Sequence, residues 1–152
     1  MSKIESIKCR NIGYSKPIGI IINPNSGKKI DLMPLIADRL QMEKVEFEFM
    51  LTQKAFDSFL IPFNCDMDKY SAIIACGGDG TYNEVLNGMM ARQDGKRLPL
   101  GVIPNGSGND IAHSLGVVDL ETAMSTIVKG QVIRTDTYRV MTDKLNEEVS
   151  VG

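Results

Sequence analysis

The sequence predicts an α/β protein with an open, mainly parallel sheet flanked by helices. The first observation is that short apolar runs alternate with amphipathic stretches over about the first 130 residues, which is the pattern of a parallel sheet with helical crossovers. The second is that turn-forming segments, two of them glycine-rich, follow three of the apolar runs. The third is the length of 152 residues, which is typical of one domain.

Four short apolar segments account for the predicted strands. They span residues 17–23, 45–52, 71–76 and 99–104. The first reads PIGIIIN and the third SAIIAC, continuous apolar runs that suit strands buried on both faces. These two segments are therefore expected at the centre of the sheet.

Five helices are expected between and after these strands. A helix over residues 31–42 has Asp31 as its cap and Pro34 in its first turn. A short amphipathic helix over 55–63 is expected to end at Pro62, and further helices are expected over 81–92 and 107–115. The last helix is predicted to start after Asp119 and to end before Gly130.

The C-terminal segment shows a different pattern. Residues 132–141 and 148–151 are strand-like, and residues 143–146 are turn-like, so we predict a β-hairpin. The expected organisation is an N-terminal extension over 1–14, an α/β domain over 15–140, and the start of a truncated or absent β-rich domain over 141–152.

Composition excludes several classes of protein. The net charge of −2 and the pI near 5.4 argue against a nucleic-acid binder, which needs clustered basic residues. No apolar run approaches the ~18 residues of a membrane span, and the charged first ten residues lack a signal-peptide core. Three cysteines without a C-x-x-C pair suggest a reducing compartment. We therefore expect a cytoplasmic protein.

The most informative motif is the run Gly77-Gly78-Asp79-Gly80-Thr81, which lies between a buried strand and a helix. Glycines there let a ligand approach the backbone, and the N-terminus of the following helix favours phosphate. Beside phosphate, Asp79 would act as a base or a metal ligand. The alternative is that Asp-Gly only makes a tight turn. Thr81 and Glu84 also fit a capping box, which needs no ligand.

Two further polar loops follow predicted strands. Residues 104–110 read PNGSGND, in which Ser107 and Asp110 form a possible capping pair. Residues 23–29 read NPNSGKK, in which Ser26, Gly27 and two lysines suit a triphosphate. Taken alone, residues 23–29 are better explained as an ordinary turn with solvated lysines, and residues 104–110 are a weak signal. Three such loops at the strand ends together favour one shared nucleotide site.

These motifs resemble those of the lipid-kinase family that contains the diacylglycerol, sphingosine and ceramide kinases. The resemblance rests on NPNSGK at 23–28, GGDGTYNEVLNG at 77–88 and PNGSGNDIA at 104–112. It covers about residues 15–140 and implies the fold of the N-terminal domain shared by NAD kinases and diacylglycerol kinases. In that family a C-terminal β-sandwich helps to hold the lipid.

The resemblance also implies a substrate, a cofactor and site residues. ATP with Mg²⁺ would phosphorylate a lipid, either diacylglycerol or a sphingoid base, at a peripheral contact with the membrane. Asp79 would be the general base, as in sphingosine-kinase-like members, whereas diacylglycerol-kinase-like members carry a catalytic acid and magnesium ligands in their second domain. The implied ATP-binding residues are Asn23, Ser26, Gly27, Thr52, Gly77, Gly78, Asp79, Gly80, Thr81, Tyr82, Asn83 and Ser107.

Two alternative functions stay open at this point. An NAD-kinase-like enzyme would phosphorylate a soluble nucleotide, and a non-catalytic module would only bind one. The lipid is open as well, because Ser107 resembles sphingosine-kinase-like members whereas Asn109-Asp110 resembles diacylglycerol-kinase-like members. The sequence leaves the metal ligands and the oligomeric state undetermined.

Overall fold

The computed structural model describes residues 10–24, 31–106, 108–133, 138–141 and 148–151. A 3-10 turn at Met67–Lys69 precedes the fourth strand. In chain order the helices and strands are β1 (Arg10–Asn11), β2 (Ile18–Ile22), α1 (Leu32–Met42), β3 (Phe47–Leu51), α2 (Asp57–Asn64), β4 (Ala72–Gly77), α3 (Asp79–Met90), β5 (Leu100–Pro104), α4 (Asp110–Ser114), α5 (Leu120–Lys129), β6 (Gln131–Val132), β7 (Tyr138–Met141) and β8 (Glu148–Val151).

A four-stranded sheet in the order β3-β2-β4-β5 forms the centre of the fold, and every neighbouring pair in it is parallel. The central strands β2 and β4 are buried along their whole length, because helices cover both faces of a parallel sheet. The edge strands β3 and β5 are partly exposed. The predicted α/β class, the parallel sheet and the two central strands are confirmed.

Local capping sets the ends of two helices as the sequence predicts. The Asp31 carboxylate accepts the backbone N–H of Met33 at the start of α1. At the start of α5, Asp119 and Thr122 form a reciprocal capping box. The same helix ends at Gly130, whose φ of 64° lies in the left-handed region that glycine adopts without strain. Both helices are confirmed.

The prediction that α2 ends at Pro62 is wrong, since the helix continues to Asn64. Pro62 removes one backbone donor, but the Cys65 N–H still bonds the Ile61 carbonyl at 2.9 Å. The guanidinium of Arg92 then donates hydrogen bonds to carbonyls at the C-terminal end of α2. Its Nη1 lies 2.8–3.1 Å from the carbonyl oxygens of Pro62, Phe63 and Cys65.

Two other helix starts differ from the prediction. Helix α3 begins at Asp79 with Gly78 as its N-cap, two residues before the predicted start. Thr81 is therefore inside the first turn, so the capping box of Thr81 with Glu84 is wrong. Helix α4 spans only Asp110–Ser114 and has Asn109 at its N-cap position. Ser107 is thus not the N-cap, and its own position lies outside the described residues.

Two short antiparallel strand pairs are separate from the four-stranded sheet. Strand β1 pairs with β6, and Arg10 lies opposite Val132. The expected single strand over 132–141 is instead two elements, β6 and β7. Strand β7 pairs with β8, which confirms the hairpin, while its predicted turn at 143–146 lies outside the described residues. The domain boundaries at residues 14 and 140 stay predictions.

Candidate functional site: the carboxyl edge of the sheet

The carboxyl ends of β2 and β4 mark the point where the strand order reverses. The chain moves from β2 to β3 on one side and then places β4 and β5 on the other. Ile22 at the end of β2 lies level with Leu51 and Cys76 in its two neighbours. Open α/β sheets bind ligands in the crevice outside such a reversal. The glycine-rich segments predicted from the sequence follow these strand ends.

Residues directly after the strands continue the backbone pairing and thereby fix where the loops begin. The Thr52 N–H donates to the Ile22 carbonyl at 3.0 Å, and the Asn105 N–H donates to the Gly77 carbonyl at 3.0 Å. Thr52 and Asn105 are both buried, with 5% and 7% of their surface exposed. Asn23 directly follows β2. The structure therefore brings Asn23, Thr52 and Gly77 to one edge.

The loop after β4 and the loop after β5 pack backbone against backbone. A methyl group built on Gly106 would lie 2.5 Å from the Cα of Gly78 and 3.0 Å from its nitrogen. A methyl group on Gly77 would lie 2.6 Å from the Oγ1 of Thr81. Gly106 is thus needed for close packing of the protein itself, whereas a methyl group on Gly77 would first meet the side chain of Thr81.

Asp79 joins the same two loops through its side chain. Its Oδ2 accepts the backbone N–H of Asp110 and its Oδ1 accepts that of Ile111, each at 2.9 Å. The second loop is also closed on itself by Asn109, whose Oδ1 accepts from the Gly106 N–H and whose Nδ2 donates to the Gly106 carbonyl. Asn109 has a φ of 55°, which Asn tolerates better than most residues.

The N-terminal half of α3 offers both space and an unpaired acceptor. A methyl group built on Gly80 would meet nothing within 4 Å. The Oδ1 of Asn83 is buried and has no hydrogen-bond partner. Asn83 lies three residues after Gly80 and four after Asp79, so these residues share one face of the helix. Since the first N–H groups of a helix lack intrahelical acceptors, this end of α3 fits a phosphate-bearing ligand.

Other predicted site residues are not placed at this edge. Ser26, Gly27 and Ser107 lie outside the described residues, as do Lys28 and Lys29. The side chain of Tyr82 is buried and lines an apolar cavity of about 330 Å³ together with Ala72 and Leu100. Ala72 and Leu100 are the first residues of β4 and β5, so this cavity reaches toward the amino-terminal edge of the sheet, opposite the proposed site. The backbone of Tyr82 lies in the first turn of α3, where its N–H donates to the Gly78 carbonyl at 3.1 Å.

Sequence reasoning missed Asn109 and Gly106 as organising residues. The signal was present, because an Asn within a glycine-rich run can adopt the left-handed conformation and bond nearby backbone. The partner of that side chain, and the contact between Gly106 and Gly78, depend on tertiary packing.

Ionisable groups behind the loops are held neutral by burial. Desolvation raises the pKa of the Cys76 thiol to about 12 and also raises the pKa of the Tyr82 hydroxyl. Cys76 is therefore a core residue and a poor nucleophile, since the thiolate is the reactive form. Among the described residues, no cluster of three or more His, Cys, Asp or Glu side chains is arranged to hold a metal ion. The helices described are also too short or too polar to span a membrane.

The fold and these loops define an open α/β domain with paired glycine-rich loops at the carboxyl edge of its sheet. Residues 17–140 match the family model of the diacylglycerol kinase catalytic domain. The chain therefore belongs to the diacylglycerol kinase catalytic domain family, as the motifs indicated.

Relatives and solved structures agree with this assignment. The chain is 38% identical over 120 residues to a diacylglycerol kinase of Staphylococcus carnosus, covering 77% of this chain and 39% of that protein. It is 31% identical over 121 residues to sphingosine kinase B of Dictyostelium discoideum, covering 76% of this chain and 16% of that protein. A diacylglycerol kinase structure from Bacillus anthracis superposes with a TM-score of 0.66 at 26% identity, over 86% of this chain and 43% of that one. The chain thus spans less than half the length of these relatives.

Proposed function

We propose that this chain is the ATP-binding domain of a lipid kinase, which transfers the γ-phosphoryl group of ATP to the hydroxyl of a lipid. One observation carries the proposal. Two glycine-rich loops are joined at the carboxyl edge of a parallel sheet, where open α/β folds bind their ligands. Membership of the diacylglycerol kinase catalytic domain family supports the same conclusion.

The phosphates of ATP are proposed to lie at the start of α3. The space beside Gly80 leaves room for them, and the first backbone N–H groups of the helix favour negative charge. The Oδ1 of Asn83 has no hydrogen-bond donor in the structure. A nucleotide hydroxyl or a water molecule bound to a cation would supply that donor. Asn23, Thr52 and Gly77 would border this site from the neighbouring strand ends, and Ser26, Gly27 and Ser107 belong to the same proposed set.

Mg²⁺ is proposed as the companion of ATP, because it would neutralise charge that develops on the transferred phosphoryl group. The described residues that suit it are oxygen donors on the first turns of α3, since Mg²⁺ prefers oxygen ligands and otherwise binds the substrate phosphates. Asn83 carries such an oxygen, the Oδ1 that has no hydrogen-bond partner. The proposed contribution of the chain is to hold the phosphates in a fixed orientation, because phosphoryl transfer depends mostly on positioning and charge.

A lipid that carries a free hydroxyl is the proposed phosphoryl acceptor. The relatives include proteins named diacylglycerol kinase and sphingosine kinase, and we propose diacylglycerol because the bacterial relative has the higher identity of the two. Such an acceptor lies in a bilayer, so the whole protein would contact the membrane at its periphery. The family match favours this function over an NAD kinase or a non-catalytic module.

Calorimetric titration with ATP and MgCl₂ tests the nucleotide site on this chain. The matched variants are Gly80→Ala and Gly13→Ala, because a methyl group at either position meets nothing within 4 Å. If phosphate occupies the space beside Gly80, its variant binds ATP about 10-fold more weakly, whereas Gly13→Ala binds like the wild type. Equal affinity in all three proteins would contradict the placement of the phosphates.

A lipid-phosphorylation assay tests the reaction on the protein at its native length. Vesicles containing diacylglycerol should yield phosphorylated lipid with ATP and Mg²⁺, and vesicles containing sphingosine should yield less. Soluble NAD serves as the third acceptor. Phosphorylation of NAD without any lipid product would overturn the proposal.

A further inference from the structure

We infer that Asp79 is a positioning residue, whose carboxylate holds the loop after β5 in place beside the start of α3. The inference rests on the proposed function, since it assigns the residue a role in shaping the proposed ATP site. It differs from the role of general base that the sequence motif suggested for Asp79.

The geometry carries the inference, because both carboxylate oxygens of Asp79 face the second loop. Oδ2 accepts the N–H of Asp110 and Oδ1 accepts the N–H of Ile111, each at 2.9 Å and across 31 and 32 residues of sequence. These two residues open α4, so their N–H groups have no acceptor within that helix. Asp79 thus supplies from another part of the chain the acceptors that a helix start needs.

The second loop is held at its start by backbone contacts and at its end by Asp79. Asn109 closes the loop by pairing with both backbone groups of Gly106. The bond from the Asn105 N–H to the Gly77 carbonyl and the packing of Gly106 on Gly78 hold the first residues of the loop, which leaves the residues at the start of α4 to be held against α3. The carboxylate of Asp79 supplies a charged link between the two, and a methyl group on Gly108 would lie 3.3 Å from its Oδ2. The anchor therefore lies beside the glycines of the second loop.

The two hydrogen bonds of the Asp79 carboxylate also affect whether it can act as a general base. A general base must turn a free lone pair toward the hydroxyl that it deprotonates, within about 2.6–3.2 Å. Each oxygen of Asp79 already accepts one backbone N–H, so the two bonds fix the plane of the carboxylate, and only the second lone pair of each oxygen is left for another donor. The arrangement favours a fixed carboxylate that sets the spacing of the two loops.

Amide hydrogen exchange on this chain tests the anchor directly. In the wild type, the amides of Asp110 and Ile111 should exchange slowly. In Asp79→Ala both should exchange at least about 10-fold faster, while amides in β4 keep their rates. Asp79→Asn, which keeps one acceptor oxygen, should fall between the two. Unchanged rates at both amides in Asp79→Ala would overturn the inference.

Asp119→Ala is the matched control for this experiment. Asp119 also accepts a backbone N–H at a helix start, that of Thr122 at 2.8 Å, but it caps α5 at a distance in sequence from both loops. The control should speed exchange at Thr122 and leave Asp110 and Ile111 unchanged.

Steady-state kinetics on the protein at its native length separate positioning from base catalysis. For a positioning residue, Asp79→Asn raises the KM for ATP by about 10-fold or more and lowers kcat by less than about 10-fold. Asp79→Glu keeps the carboxylate, so its KM for ATP should lie between those of the wild type and Asp79→Asn. For a general base, kcat falls by ~10²–10⁴-fold at an unchanged KM. This second result overturns the inference. If the wild type binds no ATP, the proposed function fails, and hydrogen exchange alone decides whether Asp79 anchors the loop.

Discussion

Gly106 lies so close to Gly78 that a methyl group on Gly106 would come within 2.5 Å of the Cα of Gly78. The two residues belong to different loops, which follow neighbouring parallel strands. Their contact explains why residue 106 is a glycine without any reference to a ligand. It also makes the shape of the proposed nucleotide site depend on a backbone contact.

Alanine substitution at these two glycines should give unequal results. Gly106→Ala forces the loops apart, and we expect a loss of about 1–3 kcal/mol in unfolding free energy together with weaker ATP binding. At Gly78 the methyl group would lie 3.3 Å from the Cα of Gly106, so a small shift accommodates it. Gly78→Ala should therefore weaken ATP binding far more than it lowers the melting temperature. Urea unfolding and calorimetry measure both effects, and equal losses of stability would contradict the packing argument.

Gly88 is expected to be essential for the packing of α2 on α3. A methyl group there would overlap the carbonyl oxygen of Phe59 and lie 2.8 Å from the Cγ of Pro62. We expect Gly88→Ala to destabilise the chain by about 2–4 kcal/mol, since backbone cannot move aside as a flexible side chain does. Gly80→Ala in the same helix is the control, and it should be neutral or stabilising by up to about 1 kcal/mol. Similar urea midpoints for both variants would refute this explanation.

Arg92 should contribute strongly to stability although it is a charged residue. Its side chain is only 9% exposed. It donates hydrogen bonds to the carbonyls at the end of α2 and to the carboxylate of Asp94. We expect Arg92→Ala to cost about 2–4 kcal/mol in unfolding free energy, and Arg92→Lys to recover only about half, because an ammonium lacks the planar fork. Arg97 is the control, because its exposed guanidinium also donates to backbone carbonyls, those of Lys96 and Met90, and Arg97→Ala should cost less than about 0.5 kcal/mol. Equal costs at the two arginines would show that the burial of the Arg92 contacts adds nothing.

Stability should fall between about pH 4 and pH 2. The Arg92 side chain and the Lys96 N–H lower the pKa of Asp94 to about 2, whereas an unfolded Asp titrates near about 4. Because the unfolded chain then binds the proton first, the contribution of this group is complete above about pH 4 and is lost as the pH falls toward its folded pKa. Urea midpoints measured from pH 7 to pH 2 should converge for the wild type and Asp94→Asn. A constant difference between them would contradict the sign of this effect.

Much of the fold follows from local sequence, and the exceptions share one cause. The buried strands β2 and β4 are continuous apolar runs, and α5 has its start and end marked by Asp119 and Gly130. The end of α2 was misjudged because the group that supports it, Arg92, lies about 30 residues away. The pairing of β1 with β6 is also long-range. Local pattern does not encode such partners.

The candidate site was predictable in its location but not in its internal contacts. Glycine-rich runs after apolar strands indicate the carboxyl edge, because parallel strands all end there. The bonds from Asp79 to the amides of Asp110 and Ile111 join segments that are far apart in the sequence. The motif therefore suggested the chemistry of a carboxylate near phosphate, whereas the structure adds its hydrogen-bond partners.

The central claim is that ATP binds where the two glycine-rich loops meet. The most direct measurement is a nuclear magnetic resonance titration of the isotope-labelled chain with ATP and Mg²⁺, which locates the affected amides. We expect shifts at residues 78–83, 105–106 and 108–111, with a dissociation constant weaker than micromolar, since this chain spans less than half of its relatives. Shifts confined to the cavity residues Tyr14, Thr126 and Gln131, or no shift at millimolar ATP, would contradict the account.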